Sequence, residues 1–333
     1  MNPRDRARLL LVGSVLALTA LALVLASIAI GYIPLSPTDL LRGLFSAEET
    51  PQAIIAREIR LPRALLGLIV GISMGLSGAA LQGLLRNPLA EPGLIGVSAS
   101  AGLGAVTALY LGIGPAIAVP AAGMAGAFVA VLLIVILAGR ELSTLSVILA
   151  GIAVNAAAIS GTSLVMNLSP NPWVVTEMLN WLLGSLADHG MKDVWLGLPF
   201  MMLGWILLLS GGRALDALSL GEETAISLGV NLAALRGRLI LGTALAVGAS
   251  VALVGSIAFV GLIVPHLLRP LVFHRPGALL WVSGLGGAVL VLAADIAVRL
   301  IGTNPELHLG VLTGVIGGPF FLFLILRLRN RMA

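Results

Sequence analysis

The sequence predicts an all-α polytopic membrane protein with ten transmembrane helices, and three observations carry that prediction. Hydrophobic residues make up 59% of the 333 positions and charged residues only 10%, against about 25% charged in a soluble domain. The mean hydropathy is +1.08. Apolar runs near the roughly 20 residues that a spanning helix needs recur along the chain. A β-barrel would instead show segments of about ten residues with alternating polarity. The 41 glycines suit helices packed closely in lipid.

Composition also excludes classes. The chain has no cysteine, which removes disulfides, thiolate metal sites and iron–sulfur ligation. The net charge of +4 is mostly arginine near helix ends. Such charge sets topology, and no soluble basic domain exists to bind nucleic acid.

Taken in order, Arg4, Arg6 and Arg8 precede a 23-residue apolar run, Leu9 to Gly31. A signal-peptide core has about 7–15 apolar residues, so this run reads as the first membrane helix. Residues 32–61 read as a loop. Helix 2 is expected over 62–85, with Pro62 in its first turn, where a missing N–H costs nothing. Helices 3, 4 and 5 follow over about 94–112, 115–138 and 144–167, with a turn at Arg140-Glu141. Residues 168–190 are polar with an apolar stripe (Trp173, Val174, Met178, Trp181, Leu182), as in a short interfacial helix. Helix 6 covers about 191–210. Residues 211–233 form a polar segment in which Ser219-Leu-Gly-Glu222 matches a capping box, predicting a helix from Leu220 that Gly229 ends. Helices 7 to 10 are expected over about 235–255, 257–273, 278–301 and 308–327.

Ten spans place both termini on one side of the membrane. Thirteen of the 19 basic residues then fall on that side, which makes the termini cytoplasmic. The stretches Gly78–Arg86 and Gly255–Ile263 echo one another faintly, as repeats in transporters do.

The chain is organised around residues 60–102. Arg60 and Arg63 flank Pro62, Gly67, Gly71 and Gly75 recur every fourth residue on one helix face, and Asn87-Pro-Leu89-Ala-Glu91-Pro92 breaks the apolar run. Gly310, Gly314 and Gly318 repeat the fourfold spacing near the end. Such small-residue seams let backbones approach in lipid, where packing rather than burial holds helices together. On spacing alone this is equally any tightly packed helix pair.

The wording is more specific than the spacing. The stretch from Arg60, together with Gly255-Ser-Ile-Ala-Phe-Val-Gly-Leu-Ile-Val-Pro-His266, Ala294-Asp295 with Arg299, Glu306-Leu-His-Leu-Gly310 and Gly317-Gly-Pro319, closely resembles the FecCD-type permeases of ABC importers. The resemblance covers about residues 55–327. It implies a type II importer permease that works as a homodimer, with two cytoplasmic ATP-binding subunits and a periplasmic substrate-binding protein. It implies docking of the binding protein at Arg60, Arg63 and Arg299, and ATPase coupling through Ser219, Leu220, Gly221, Glu222 and Glu223. It also implies a cytoplasmic constriction at Asn87, Leu89, Ser143 and Thr144. Interfacial anchoring, a plain connector and helix capping are the simpler readings of the same residues.

The chain carries no chemistry of its own by sequence. A phosphate-binding P-loop needs Gly-Lys followed by Ser or Thr, and the only lysine, Lys192, precedes Asp193. This chain therefore does not hydrolyse ATP through that motif; the resemblance implies ATP and Mg on the partner subunit, with no cofactor here. His189, His266, His274 and His308 lack metal-ligand spacing, and no catalytic triad or carboxylate pair can be assembled. Of the acids, only Asp295 lies well inside a span, with Arg299 one turn on as an i,i+4 partner. The expected function is transport of iron complexes, ferric siderophore or haem, across a bacterial inner membrane. Cobalamin is the alternative within the family. An ion-coupled secondary transporter is the alternative outside it.

Overall fold

The computed structural model describes residues 3–45, 50–113, 117–139 and 143–332. The expected Arg140-Glu141 turn lies outside the described residues. Among the described residues the fold is wholly helical, with eight helices long and apolar enough to cross a membrane. These are α1 (Pro3–Ala29), the unit ending in α4 (Leu61–Leu84), α6 (Ala118–Ala138), α7 (Thr144–Leu168), α9 (Met191–Ser210), α12 (Leu232–Val254), α14 (Pro276–Ile301) and α15 (Leu309–Met332). Short helices α2 (Pro37–Phe45), α3 (Pro51–Ile54), α8 (Pro172–Leu182), α10 (Gly212–Leu218) and α11 (Glu222–Ser227) connect them.

The two remaining expected spans are half-helices. α5 (Val97–Tyr110) has 14 residues, about 21 Å at 1.5 Å per residue, against a hydrocarbon core of about 30 Å. α13 (Val260–Leu268) has 9 and continues as a 3-10 turn, Arg269–Val272. Both were expected to be longer. α13 is preceded by irregular backbone and α5 by a 3-10 turn, Pro92–Ile95, that follows the irregular stretch at Glu91; each starts after a left-handed residue, Gly96 at φ +75° and Phe259 at φ +67°. Gly96 packs against Asn155, midway along α7. Irregular backbone at that depth is tolerated where protein buries it.

The order long, short, long, long occurs twice, as α4–α7 and α12–α15. The first helix of each set packs on the third of the other, α4 on α14 and α12 on α6, and α4 and α12 pack together. The internal repeat is thus carried by helix order and packing.

Two sequence expectations are corrected at the second span. Residues 32–61 are not all loop: those described include α2 and the start of a helix running continuously from Pro51 to Leu84. Thr50 caps that start, its hydroxyl accepting from Ala53 N at 3.3 Å, with Pro51 at the first helical position. Pro62 is therefore internal. A π-turn over Ile55–Arg60, closed by Leu61 N to Ala56 O, precedes it. The wider turn accommodates a proline ring that would press on the carbonyl four residues back.

The glycine seam brings two helices into close contact. A Cβ on Gly75 would lie 1.9 Å from Ser283 O, and one on Gly71 would lie 2.5 Å from Gly287 O. α4 and α14 therefore touch backbone to backbone. Gly67 meets only side chains, of Leu292 and Leu186. Gly310 packs against the carbonyls of Leu183 and Ser256. Gly314 and Gly318 differ from the expected seam: among the described residues nothing lies within 4 Å of a Cβ there, which leaves that face of α15 open.

Candidate functional site

The end of the bundle opposite the termini is built around three arginines. Arg60, Arg63 and Arg299 are 4%, 8% and 7% exposed. They do not present guanidinium groups outward, as docking residues would; the chain's own acceptors take them up. α1 has no basic residue in its last turn, and its final carbonyls would otherwise lack partners. Arg299 Nη1 donates to Ser27 O and Ile30 O, both at 2.7 Å. Arg60 Nη1 donates to Ile28 O at 3.0 Å and Ala29 O at 2.8 Å, and its Nη2 to Ile33 O. Two arginines from other helices thus cap four successive carbonyls and complement the helix dipole.

Arg63 completes the cluster. Its Nε and Nη2 donate to Asp295 Oδ1 at 2.9 and 2.8 Å, and it also binds Glu306. Asp295 Oδ2 accepts from Arg299 Nη2 at 2.8 Å, the i,i+4 pair read from sequence. Two guanidiniums therefore face two carboxylates, and charge balances. Beside them, Tyr32 is exposed, and partial desolvation and the Glu306 carboxylate hold its phenol above the ordinary value.

Between α5, α7 and α8 lies a cavity of about 450 Å³. Its walls carry Ser98, Asn155, Thr162, Ser163, Trp181 and Ser256 and no charged side chain. Sequence reasoning missed this wall. The signal was present: Asn155, Ile159, Thr162, Ser163 and Met166 follow one face of α7 at helical spacing. α8 frames the cavity. Asn171 caps it, accepting from Trp173 N at 3.0 Å. Trp173, expected in the apolar stripe, is instead exposed, whereas Met178 is fully buried. The end of α8 is pinned by Ser185 N to Val254 O at 2.9 Å and by Gly310 N to Gly184 O at 3.2 Å.

A second missed residue is Glu91. It reads in sequence as part of a polar turn, yet its carboxylate reaches into the bundle and accepts from Phe259 N at the start of α13. Gln82 supports the same junction, donating to Gly261 O at 3.2 Å and accepting from Arg269 Nη2 at 2.5 Å.

At the end carrying the termini, Asn87 Oδ1 accepts from Leu89 N at 2.9 Å, and Ser143 Oγ accepts from Ser146 N at 3.1 Å. Asn87 shapes its turn, and Ser143 caps α7, with Thr144 its first residue. The predicted capping box is not formed. Ser219 closes α10, donating to Asp216 O at 2.6 Å, so Leu220 is not helical and α11 starts at Glu222. Glu222 turns instead to Arg236 at 2.8 Å, and Glu223 lies beside it in the first turn of α11. Gly229 ends α11 as expected, at φ +83°. Its N–H bonds Ile226 O and that of Val230 bonds Ala225 O, a Schellman pair.

A polytopic bundle with half-helices beside a polar cavity defines a membrane permease. Residues 18–327 match the family described as the FecCD transport family. The chain belongs to that family. It is 37% identical to the Fe(3+) dicitrate transport system permease protein FecD of Escherichia coli, over 94% of this chain and 97% of that protein. It is 38% identical to the cobalamin import system permease protein BtuC of Halobacterium salinarum, over 84% of this chain and 75% of that one. The fold matches a solved inward-facing conformation of a metal-chelate type ABC transporter with a TM-score of 0.84. Identity there is 31%, over 95% of this chain and 98% of the other.

Proposed function

We propose that this chain is the transmembrane permease of an ATP-driven importer that carries iron complexes, ferric siderophore or haem, across the bacterial inner membrane. The observation that carries the reading is the near full-length similarity to the ferric dicitrate permease. The uncharged cavity wall supports it, since a large chelate needs room and hydrogen bonds rather than fixed ligands. The secondary-transporter reading loses its main support, because Asp295 is held between two arginines rather than poised to carry a proton.

In this reading the chain forms one transmembrane domain with both termini cytoplasmic, paired with a second copy. ATP and Mg act on a separate cytoplasmic subunit, met by residues 211–233 with Ser219 to Glu223 at their centre. Asn87, Leu89, Ser143 and Thr144 narrow the inner mouth. A periplasmic binding protein docks over the end held by Arg60, Arg63 and Arg299, which act by fixing the surface rather than by direct pairing. The test is reconstitution of the full complex in liposomes with labelled ferric chelates and with cobalamin. ATP-dependent uptake of the ferric chelate supports the reading. Uptake of cobalamin alone reassigns the cargo, and uptake driven by an ion gradient without an ATPase overturns it.

A further inference from the structure

At the end carrying the termini, α1, α9, α10 and α14 enclose a cleft of about 400 Å³. Its polar rim combines Arg6 of α1, Arg213 of α10, and Arg275 just before α14, with Asp216 as the single carboxylate. Asp216 is already engaged. It accepts from Gly277 N at 2.7 Å and from Arg275 Nη2 at 3.1 Å. Arg6 and Arg213 are exposed, and neither has an ion-pair partner among the described residues. The rim therefore carries two positive charges in excess, aimed at one opening.

Below the rim the cleft is apolar. Leu10 is 59% exposed on one side and Leu209 45% exposed on the other. Trp281 forms the floor, and its ring fits so closely under α1 that a Cβ on Gly13 would lie 2.2 Å from it. A charged rim above an apolar groove, at the end of three spans and the short helix α10, matches an amphiphile with an anionic head. A soluble anion would use the rim and leave the groove empty.

We propose that this cleft binds an anionic phospholipid, its phosphate held between Arg6 and Arg213 and one acyl chain lying along Leu10 and Leu209. The bound lipid would tie α1 to α10, which leads into the segment proposed to meet the ATPase.

The test uses the full chain extracted from vesicles of phosphatidylglycerol or of phosphatidylcholine, with retained lipid counted by native mass spectrometry. Phosphatidylglycerol should be retained over phosphatidylcholine. Arg6→Gln and Arg213→Gln should each weaken retention about fivefold, while Arg238→Gln, a charge removed elsewhere at the same end, should not. A Leu209→Asn variant should weaken retention with the rim intact. Equal retention of both lipids, or of phosphatidylglycerol by the Arg6→Gln/Arg213→Gln double variant, would overturn the proposal. So would competition by glycerophosphoglycerol at concentrations matching the lipid, since that would place the head alone in the cleft.

Discussion

Arg63 and Asp295, on α4 and α14, meet at 2.8 Å with both side chains buried. Asp295 also holds Arg299, and Arg63 also holds Glu306, so the four charges form a closed set. Breaking a buried pair by removing one partner leaves an uncompensated charge and costs about 3–5 kcal/mol. Asp295→Asn should therefore lower thermal stability in detergent strongly. Glu306→Gln, at a side chain 21% exposed, should cost much less. Equal losses for the two variants would contradict the arrangement.

The arginine caps on α1 give a separable effect. Arg60→Lys keeps a charge near the end of α1 but cannot span Ile28 O, Ala29 O and Ile33 O as the guanidinium does. Faster hydrogen exchange is expected over residues 27–33, with the rest of the bundle unchanged. Exchange rising throughout the chain would show that Arg60 holds more than this one terminus.

Glycine substitutions should divide by what a methyl group meets. Gly75→Ala places a carbon on the backbone of Ser283 and should abolish assembly or cost several kcal/mol, at about 1–3 kcal/mol or more for overpacking. Gly314→Ala and Gly318→Ala meet nothing within 4 Å among the described residues and should not destabilise the monomer. If the open face of α15 meets the second copy, those two variants should instead weaken the dimer in cross-linking assays.

The proposed coupling segment can be tested without touching the bundle. Gly229→Ala forces a Cβ into the left-handed region at φ +83° and should cost about 1–2 kcal/mol locally. Glu222→Gln weakens the 2.8 Å pair with Arg236 while leaving backbone geometry alone. Both are expected to reduce ATP-driven uptake more than ATPase binding, read by comparing uptake with co-purified subunit. Loss of binding and uptake together in Glu222→Gln would make this residue part of the contact itself.

The spans were legible because long apolar runs in lipid admit few alternatives to helix. The i,i+4 pair of Asp295 with Arg299 was legible for the same reason, as both lie on one helix. Arg63 was legible only as a charge at a helix end. Its partners sit on α14 and before α15, and distance in sequence hides such pairing. Ser219 shows the converse: a local capping pattern was overridden once Glu222 found Arg236. The half-helices were read too long because hydropathy does not record where irregular backbone is sheltered inside a bundle.

Glu91 is where that shelter is most exposed to test. Its carboxylate takes the N–H of Phe259, a left-handed residue with no intrahelical partner for that donor, where α13 begins. Two irregular stretches, one before each half-helix, are thereby joined by one side chain. Glu91→Gln keeps an acceptor oxygen and should retain most stability. Glu91→Ala leaves a part-buried donor without its partner, at up to about 1–3 kcal/mol, and frees the two stretches from each other. The expected result is a lower unfolding temperature for Ala than for Gln, with raised hydrogen exchange at residues 255–262 in Ala only. Matching behaviour of the two variants would mean that the negative charge, acting on the start of α13, matters more than the hydrogen bond.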